Sequence, residues 1–393
     1  MTQSRKTPVT IALISSYRLH VGGVETHLLS LLRHSDPARY RWLMIGPLSP
    51  VFAAQAQTAG AQIIQWRPRH FADLISFFTL ARLLLHEYVE IVHFHCPRSA
   101  FLGRVFARLL RIQAIVTVHL PAYYFIGSRY TSSRFGRWLY LKMESILNRH
   151  FTAWLIYVSS LVMEEAIAFG LVNPLRATVI NNGVDLLRYE TVSNRAALRA
   201  EAGSGASDKV ISCLGRLDHQ KGVDILLTAL SKIDLPGYHA RLWLIGDGPL
   251  RETLWQQVRQ NGLEKFVSFY GFRDDVPCLL RAADLFVLPS RYEAMPLAIL
   301  EAMAAGLPCI VTDTGENSRL IEHNINGLIV PVENNEELKQ ALEKLLGDPD
   351  KCRQMGEASR RKVESFSETE TVRRIQAVYE TVITQKHYEE SVE

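Results

Sequence analysis

Short apolar runs rich in β-branched residues alternate along this chain with segments whose apolar positions recur every three or four residues. Residues 9–14, 41–45, 61–64, 90–96, 114–119, 154–159 and 177–180 read as buried strands. Between them, residues 49–60, 73–88 and 160–169 read as helices, the last stopped by Gly170. The rhythm resumes with strands at 209–214, 241–245, 267–271, 284–288, 309–313 and 326–330. Strand and helix in strict alternation predict parallel sheets, since a parallel pair needs a crossover between its strands.

A chain of 393 residues is long enough for two cores of ordinary size, and Asn181-Asn182-Gly183 supplies a turn between them. The division expected is 1–180, 181–366 and a terminal helix within 367–393. That helix carries Val372, Ile375, Val378, Tyr379 and Val382 on one stripe. The polar start and the brief run 9–14 are too short for a signal segment or a membrane span, so a cytoplasmic protein is expected. Five scattered cysteines without a C-x-x-C pair argue against disulfides and zinc.

Candidate chemistry concentrates in Pro289-Ser290-Arg291-Tyr292-Glu293-Ala294-Met295-Pro296-Leu297, which runs on to Glu301, Gly306 and Pro308. The strand before it places Glu293 on a loop at a strand's carboxyl end, and the following helix carries Glu301. Open α/β sheets bind ligands at that end. Upstream, Gly215-Arg216 and Lys221-Gly222 put two cations on another strand-to-helix loop, a natural cradle for a diphosphate. Near the start, Gly22-Gly23 precede a helix, where backbone N–H groups can approach an anion. The loop is not G-x-G-x-x-G, which disfavours a dinucleotide cofactor.

The E-x7-E stretch resembles the motif of glycosyltransferase family 4, and so do Gly215-Arg216 with Lys221-Gly222, Gly246-Asp247-Gly248-Pro249 and Asn182-Gly183-Val184-Asp185. The resemblance implies the GT-B fold: two Rossmann-like domains with parallel sheets facing a central cleft, the terminal helix crossing back to the first. It implies retaining transfer of a sugar from a nucleoside diphosphate, UDP or GDP, to a glycan, glycolipid or other hydroxyl acceptor, in cell-surface polysaccharide or lipopolysaccharide synthesis. The first domain would bind the acceptor and the second the nucleotide sugar. By resemblance Glu301 holds the ribose and Glu293 lies against the sugar or diphosphate. Arg216 and Lys221 hold the diphosphate, with Gly22 and Gly23 beside donor phosphate or acceptor. His119 orients the donor sugar, Phe272 lies near the base, and Met295, Pro296 and Leu297 complete the donor site. The chain departs from the family at Ala294, where glycine is usual, and at Gly315-Glu316 with Arg319, where Gly-Gly-Glu is usual.

His93 and His95, two apart on a strand, point to one face and offer metal ligands. Apart from Glu90 on the same strand, no acidic or histidine partner lies within five residues of them, so no metal is expected, and no cofactor beyond the substrate. The net charge of +4 conceals an asymmetry: residues 1–183 carry 19 Lys/Arg against 8 Asp/Glu, and residues 184–393 carry 25 against 32. Between residues 98 and 150, basic residues interleave with rings such as Tyr123, Phe135 and Trp138, and Glu144 is the one acid. That pattern fits docking on an anionic membrane surface at the inner face of the cell membrane, and fits equally a solvated basic surface whose rings pack into the core. No nucleic-acid motif is present, and monomer and homodimer both stay open. Two other function classes stay open as well: a nucleotide-sugar-binding protein without transfer activity, and another GT-B enzyme such as a sugar epimerase.

Overall fold

The computed structural model describes residues 7–15, 22–70, 73–120, 134–190, 195–201 and 203–392. The chain divides into two compact units, Met1–Asn181 with Thr369–Glu393, and Asn182–Glu368.

The first unit is built on a seven-stranded parallel sheet. Its strands are β1 (Val9–Ile14), β2 (Tyr40–Gly46), β3 (Gln62–Gln65), β4 (Ile91–Phe94), β5 (Gln113–Val118), β6 (Trp154–Tyr157) and β7 (Ala177–Val179), in the order β3-β2-β1-β4-β5-β6-β7. β1 and β4 are buried along their whole length, as expected of central strands covered on both faces. The helices begin where the sequence signals them. Asp73 caps Leu74–His86 by accepting from Ser76 N–H, and Ser159 caps Ser160–Ala168 by accepting from Val162 N–H. The terminal helix, Glu368–Val392, fills nearly all of the expected 367–393. Its Val372, Ile375, Val378, Tyr379 and Val382 lie in the core of the first unit with Leu13, Leu32 and Met44, so this helix belongs to that unit.

The second unit holds a six-stranded parallel sheet, β8 (Lys209–Leu214), β9 (Ala240–Ile245), β10 (Val267–Gly271), β11 (Leu285–Leu288), β12 (Cys309–Thr312) and β13 (Gly327–Val330). The order β10-β9-β8-β11-β12-β13 reverses direction between β8 and β11. That is a topological switch point, where the loops leaving two neighbouring strands diverge and open a crevice at their carboxyl ends. The loops carrying Arg216 and Lys221, and Glu293, are the ones that leave β8 and β11. Each unit is a parallel-sheet α/β domain, as the resemblance implies. Among the described residues no helix is long and apolar enough to cross a membrane.

Candidate functional site

At the switch point of the second unit, Lys221 Nζ lies 2.6 Å from Glu293 Oε1, and Ser290 Oγ donates to the same oxygen at 2.7 Å. All three side chains are largely withdrawn from water. The backbone makes this meeting possible. Gly222 caps the helix Val223–Leu230 with φ +63°, and a Cβ there would sit 2.1 Å from the Pro289 carbonyl oxygen. The loops after β8 and β11 are joined further by Arg291 N–H to Gln220 O at 2.8 Å and by Gln220 Nε2 to Tyr292 O at 3.1 Å. Arg291 itself is spent on structure, with a bidentate pair to Asp224 at 2.9 and 2.7 Å and a bond to Glu333 at 2.8 Å.

Arg216 stands in contrast. Its side chain is 67% exposed and its Nε lies 2.9 Å from Asp218 Oδ2, so the guanidinium keeps most of its donors toward solvent. On the other side, Gly315 (φ +56°) passes under Glu293, where a Cβ would lie 2.2 Å from the Glu293 carbonyl oxygen. Glu316 N–H donates to Ala294 O at 3.0 Å. The segment that departs from the family pattern therefore forms a fitted support for the glutamate loop.

Met295, Pro296 and Leu297 are buried at the N-terminus of the helix Leu297–Ala304, with Pro296 at the N-cap position. Asn182 Nδ2 donates to Met295 O at 2.9 Å and fixes that entry. Glu301, on the same helix, accepts from Tyr189 OH at 3.3 Å. Burial pushes its pKa up to about 7, against the opposing pull of Arg188 and the Tyr189 bond. Phe272 follows β10 and is exposed, so it is not a core ring.

In the first unit, Gly22 is the N-cap of the helix Gly23–Arg33, and Thr26 N–H donates to Gly22 O at 2.9 Å. Residues 16–21 of that loop lie outside the described residues. His119, after β5, meets two histidines the sequence did not pair with it. His95 Nδ1 lies 3.2 Å from His119 Nε2, and the His27 ring sits edge-on to His119 at 5.1 Å between centroids. One ligand nitrogen from each of His27, His95 and His119 falls within 4.8 Å of the others, a donor set able to hold a metal ion. The partners of His95 are distant in the chain, so a lack of ligands nearby in sequence does not exclude a metal. The strand-end histidine His95 finds its partners from the first helix and from β5. His93 lies beside His95, with ring centroids 4.2 Å apart, but both its nitrogens are engaged, Nδ1 2.7 Å from Tyr379 OH and Nε2 2.7 Å from Thr117 Oγ1. Burial, reinforced by the other histidines, holds His93, His95 and His119 well below the ordinary imidazole pKa, so they are neutral at neutral pH.

Residues 194–362 match the family of group 1 glycosyl transferases, and residues 21–188 match Glycosyltransferase Family 4. An Escherichia coli relative, UDP-Gal:alpha-D-GlcNAc-diphosphoundecaprenol alpha-1,3-galactosyltransferase, is 32% identical over 283 residues, which is 70% of this chain and 71% of the relative. This chain belongs to glycosyltransferase family 4. Two solved structures share its fold. Anabaena HepE in complex with UDP-glucose gives a TM-score of 0.81 at 22% identity, over 95% of this chain and 99% of that one. WaaG, a glycosyltransferase involved in lipopolysaccharide biosynthesis, gives 0.75 at 15% identity, over 93% and 98%.

A cavity of about 510 Å³ in this glycosyltransferase opens at the opposite, amino end of the second sheet, lined by Lys209, Arg281, Leu307 and Cys352 among others. Its cations are engaged elsewhere: Lys209 Nζ donates to Leu346 O at 2.6 Å and Arg281 Nη1 to Ala305 O at 3.5 Å at helix C-termini, Arg195 pairs with Asp284, and Arg353 pairs with Asp350. It is not part of the site. What the sequence missed is the set of supporting side chains: Ser290 under Glu293, Tyr189 on Glu301, Asn182 on the helix entry, and His27 with His95 beside His119. Ser290 and Asn182 stand inside the motifs and were legible as candidates; Tyr189 and His27 have no local signal.

Proposed function

We propose that this glycosyltransferase moves a hexose, with retention of anomeric configuration, from a nucleoside-diphosphate sugar to a hydroxyl of a lipid-linked or free glycan in cell-surface polysaccharide or lipopolysaccharide synthesis. The donor is UDP- or GDP-linked, and the E. coli relative, whose name specifies UDP-galactose and a diphosphoundecaprenol-linked acceptor, supports the uridine form and a lipid-linked acceptor. The observation that carries the reading is the Lys221–Glu293–Ser290 cluster beside the solvent-facing Arg216, at the switch point of a parallel sheet.

The acceptor oxygen bonds to the anomeric carbon on the face from which the diphosphate departs. The bond between that carbon and the β-phosphate oxygen breaks, and the acceptor proton passes to a departing phosphate oxygen. No side chain needs to act as nucleophile or base. The demand on the protein is electrostatic: Arg216 and Lys221 meet the charge that develops on the diphosphate, with the N-terminus of the helix Leu297–Ala304 adding backbone donors. Those two cations do the work a metal ion does in other transferases, and the reaction runs without one. Glu293 fixes the Lys221 ammonium and lies against the sugar. Glu301 accepts from the vicinal ribose hydroxyls. His119, neutral, orients a sugar hydroxyl, with Gly22 and Gly23 beside donor phosphate or acceptor and Phe272 near the base. The reaction takes place in the cytoplasm at the inner face of the cell membrane.

Thermal-shift titration with UDP, GDP and ADP, with Glu301→Ala as control, tests the donor site, and transfer of labelled sugar from the chosen donor to extracted lipid-linked glycan tests the activity. One diphosphate should stabilise the protein, and the variant should lose that response. Stabilisation without transfer would leave a nucleotide-sugar-binding protein; conversion of the donor to its epimer would make it an epimerase. No response to any diphosphate and no transfer would refute the reading.

A further inference from the structure

The helix Arg134–His150 is amphipathic in the wrong sense for a surface helix of a globular unit. Its inward side is largely polar. Arg104, itself fully buried, donates both Nη2 bonds to Glu144 at 2.9 Å, and Asn148 Nδ2 reaches Leu171 O at 2.8 Å. Leu147 is the one buried apolar side chain of this helix among the described residues. The outward side is apolar: Phe135 is 70% exposed, Trp138 54%, Leu139 45%, Met143 38% and Ile146 47%. These positions recur at helical spacing and so form one stripe. Phe135 and Trp138 stack on each other, with ring centroids 5.9 Å apart. Arg134, Lys142 and Arg149 are exposed among them.

The neighbouring helices carry the same signature. Leu74–His86 packs on Pro97–Leu109, which packs on Arg134–His150. Ile75 and Phe78 on the first and Leu109 on the second are exposed, as are Arg82 and Arg108. Across these three helices Glu144 is the only acid, and it is turned inward onto Arg104. A stripe of large exposed apolar side chains calls for a covering partner. Cations without exposed acids between them make that partner anionic, and stacked aromatics beside Lys and Arg suit the boundary between headgroups and acyl chains.

We propose that the outward stripe of Arg134–His150, centred on Phe135, Trp138 and Lys142, is a docking face that inserts into the surface of an anionic phospholipid bilayer. It gives residues to the membrane-side location proposed above and rests on that reading for its purpose. Arg104 has no part in it, which corrects the sequence expectation that the whole basic run 98–150 forms the surface. Tyr123, Tyr124, Phe125, Arg129 and Tyr130 of that run lie outside the described residues.

The test is flotation of the full chain with vesicles of phosphatidylcholine containing phosphatidylglycerol, against phosphatidylcholine alone, at low and high salt. The wild-type protein should float with the anionic vesicles at low salt and be released by salt. Phe135→Ser with Trp138→Ser should lower partitioning roughly tenfold or more, as should Lys142→Glu with Arg149→Glu. All four positions are exposed, so the melting temperature and the response to UDP should match wild type. Brominated lipid should quench wild-type tryptophan emission and lose most of that effect in Trp138→Phe. Absence of wild-type binding to anionic vesicles at low salt, or equal binding by the Phe135/Trp138 variant, would overturn the proposal. The nucleotide response in the same samples reports on the transfer reading separately.

Discussion

Glu293 Oε1 receives two donors at once, Lys221 Nζ at 2.6 Å and Ser290 Oγ at 2.7 Å, and Lys221 and Glu293 come from the loops of two strands that are neighbours only because the sheet reverses there. Removing one partner of such a withdrawn pair strands the other charge. Lys221→Ala is therefore expected to cost about 3 kcal/mol of stability and roughly two orders of magnitude in turnover. In Lys221→Met with Glu293→Gln both charges go, so the melting temperature should recover most of the loss while turnover does not. Thermal denaturation and steady-state kinetics on the three proteins decide it. Recovery of turnover in the double variant would remove Lys221 from the reaction.

Arg216 separates function from stability more cleanly. Its guanidinium is largely in water and its partner Asp218 is on its own loop, so Arg216→Ala should change stability by no more than about 0.5 kcal/mol. As a donor aimed at the developing diphosphate charge it should cost roughly two to three orders of magnitude in kcat. Turnover near wild type would reassign the residue to the surface. Arg216→Lys should fall between, since an ammonium keeps the charge but not the planar fork.

The difference between these two cations shows what could be read from sequence and what could not. The strand-to-helix loops, and with them the parallel sense of the two sheets, follow from alternation that each segment announces locally; the strand order does not. Arg216, Lys221, Glu293 and Glu301 stand at strand ends or on the helices that follow, so their loops were legible too. That Lys221 is engaged by Glu293 while Arg216 faces solvent depends on packing between β8 and β11, far apart in the chain. The histidine group is illegible for the same reason: His27, His95 and His119 come from a helix and two strand ends, and nothing near His95 in sequence points to either partner. Arg104 illustrates the opposite error, a surface charge by composition that the fold buries on Glu144.

Glu301 should make nucleotide binding and stability respond to pH in opposite ways. Its carboxyl ionises at about 7 in the fold against an ordinary 4.5. Between those values the unfolded chain has already lost the proton, so this group's contribution to stability falls as pH rises and its full cost stands above about pH 7. Glu301→Gln should thus raise the melting temperature at pH 8, by up to about 3 kcal/mol in stability, and change little at pH 4.5. The ribose hydroxyls, in contrast, bind best to the ionised form, so UDP affinity of the wild-type protein should rise from pH 6 to pH 8 and the variant should show no such rise. Calorimetric titration at the two pH values checks this, and a pH-independent Kd would detach Glu301 from the ribose.

The histidine group sets the strictest test of a reaction driven by cations alone. Three imidazole nitrogens within 4.8 Å can take zinc, and burial keeps His95 and His119 in the neutral form a metal requires. The same neutral form is what a hydrogen-bonding His119 needs to orient a sugar hydroxyl. The two roles part on substitution and on chelation. If His119 works by hydrogen bonding, dialysis against EDTA leaves turnover unchanged, and His119→Asn, which keeps a donor and an acceptor, retains more of kcat than His119→Ala. If the group holds a working metal, EDTA abolishes turnover, zinc restores it, and Asn rescues nothing because an amide is a poor ligand for zinc. The expected outcome is the first, because the leaving-group charge already has Arg216 and Lys221 to meet it.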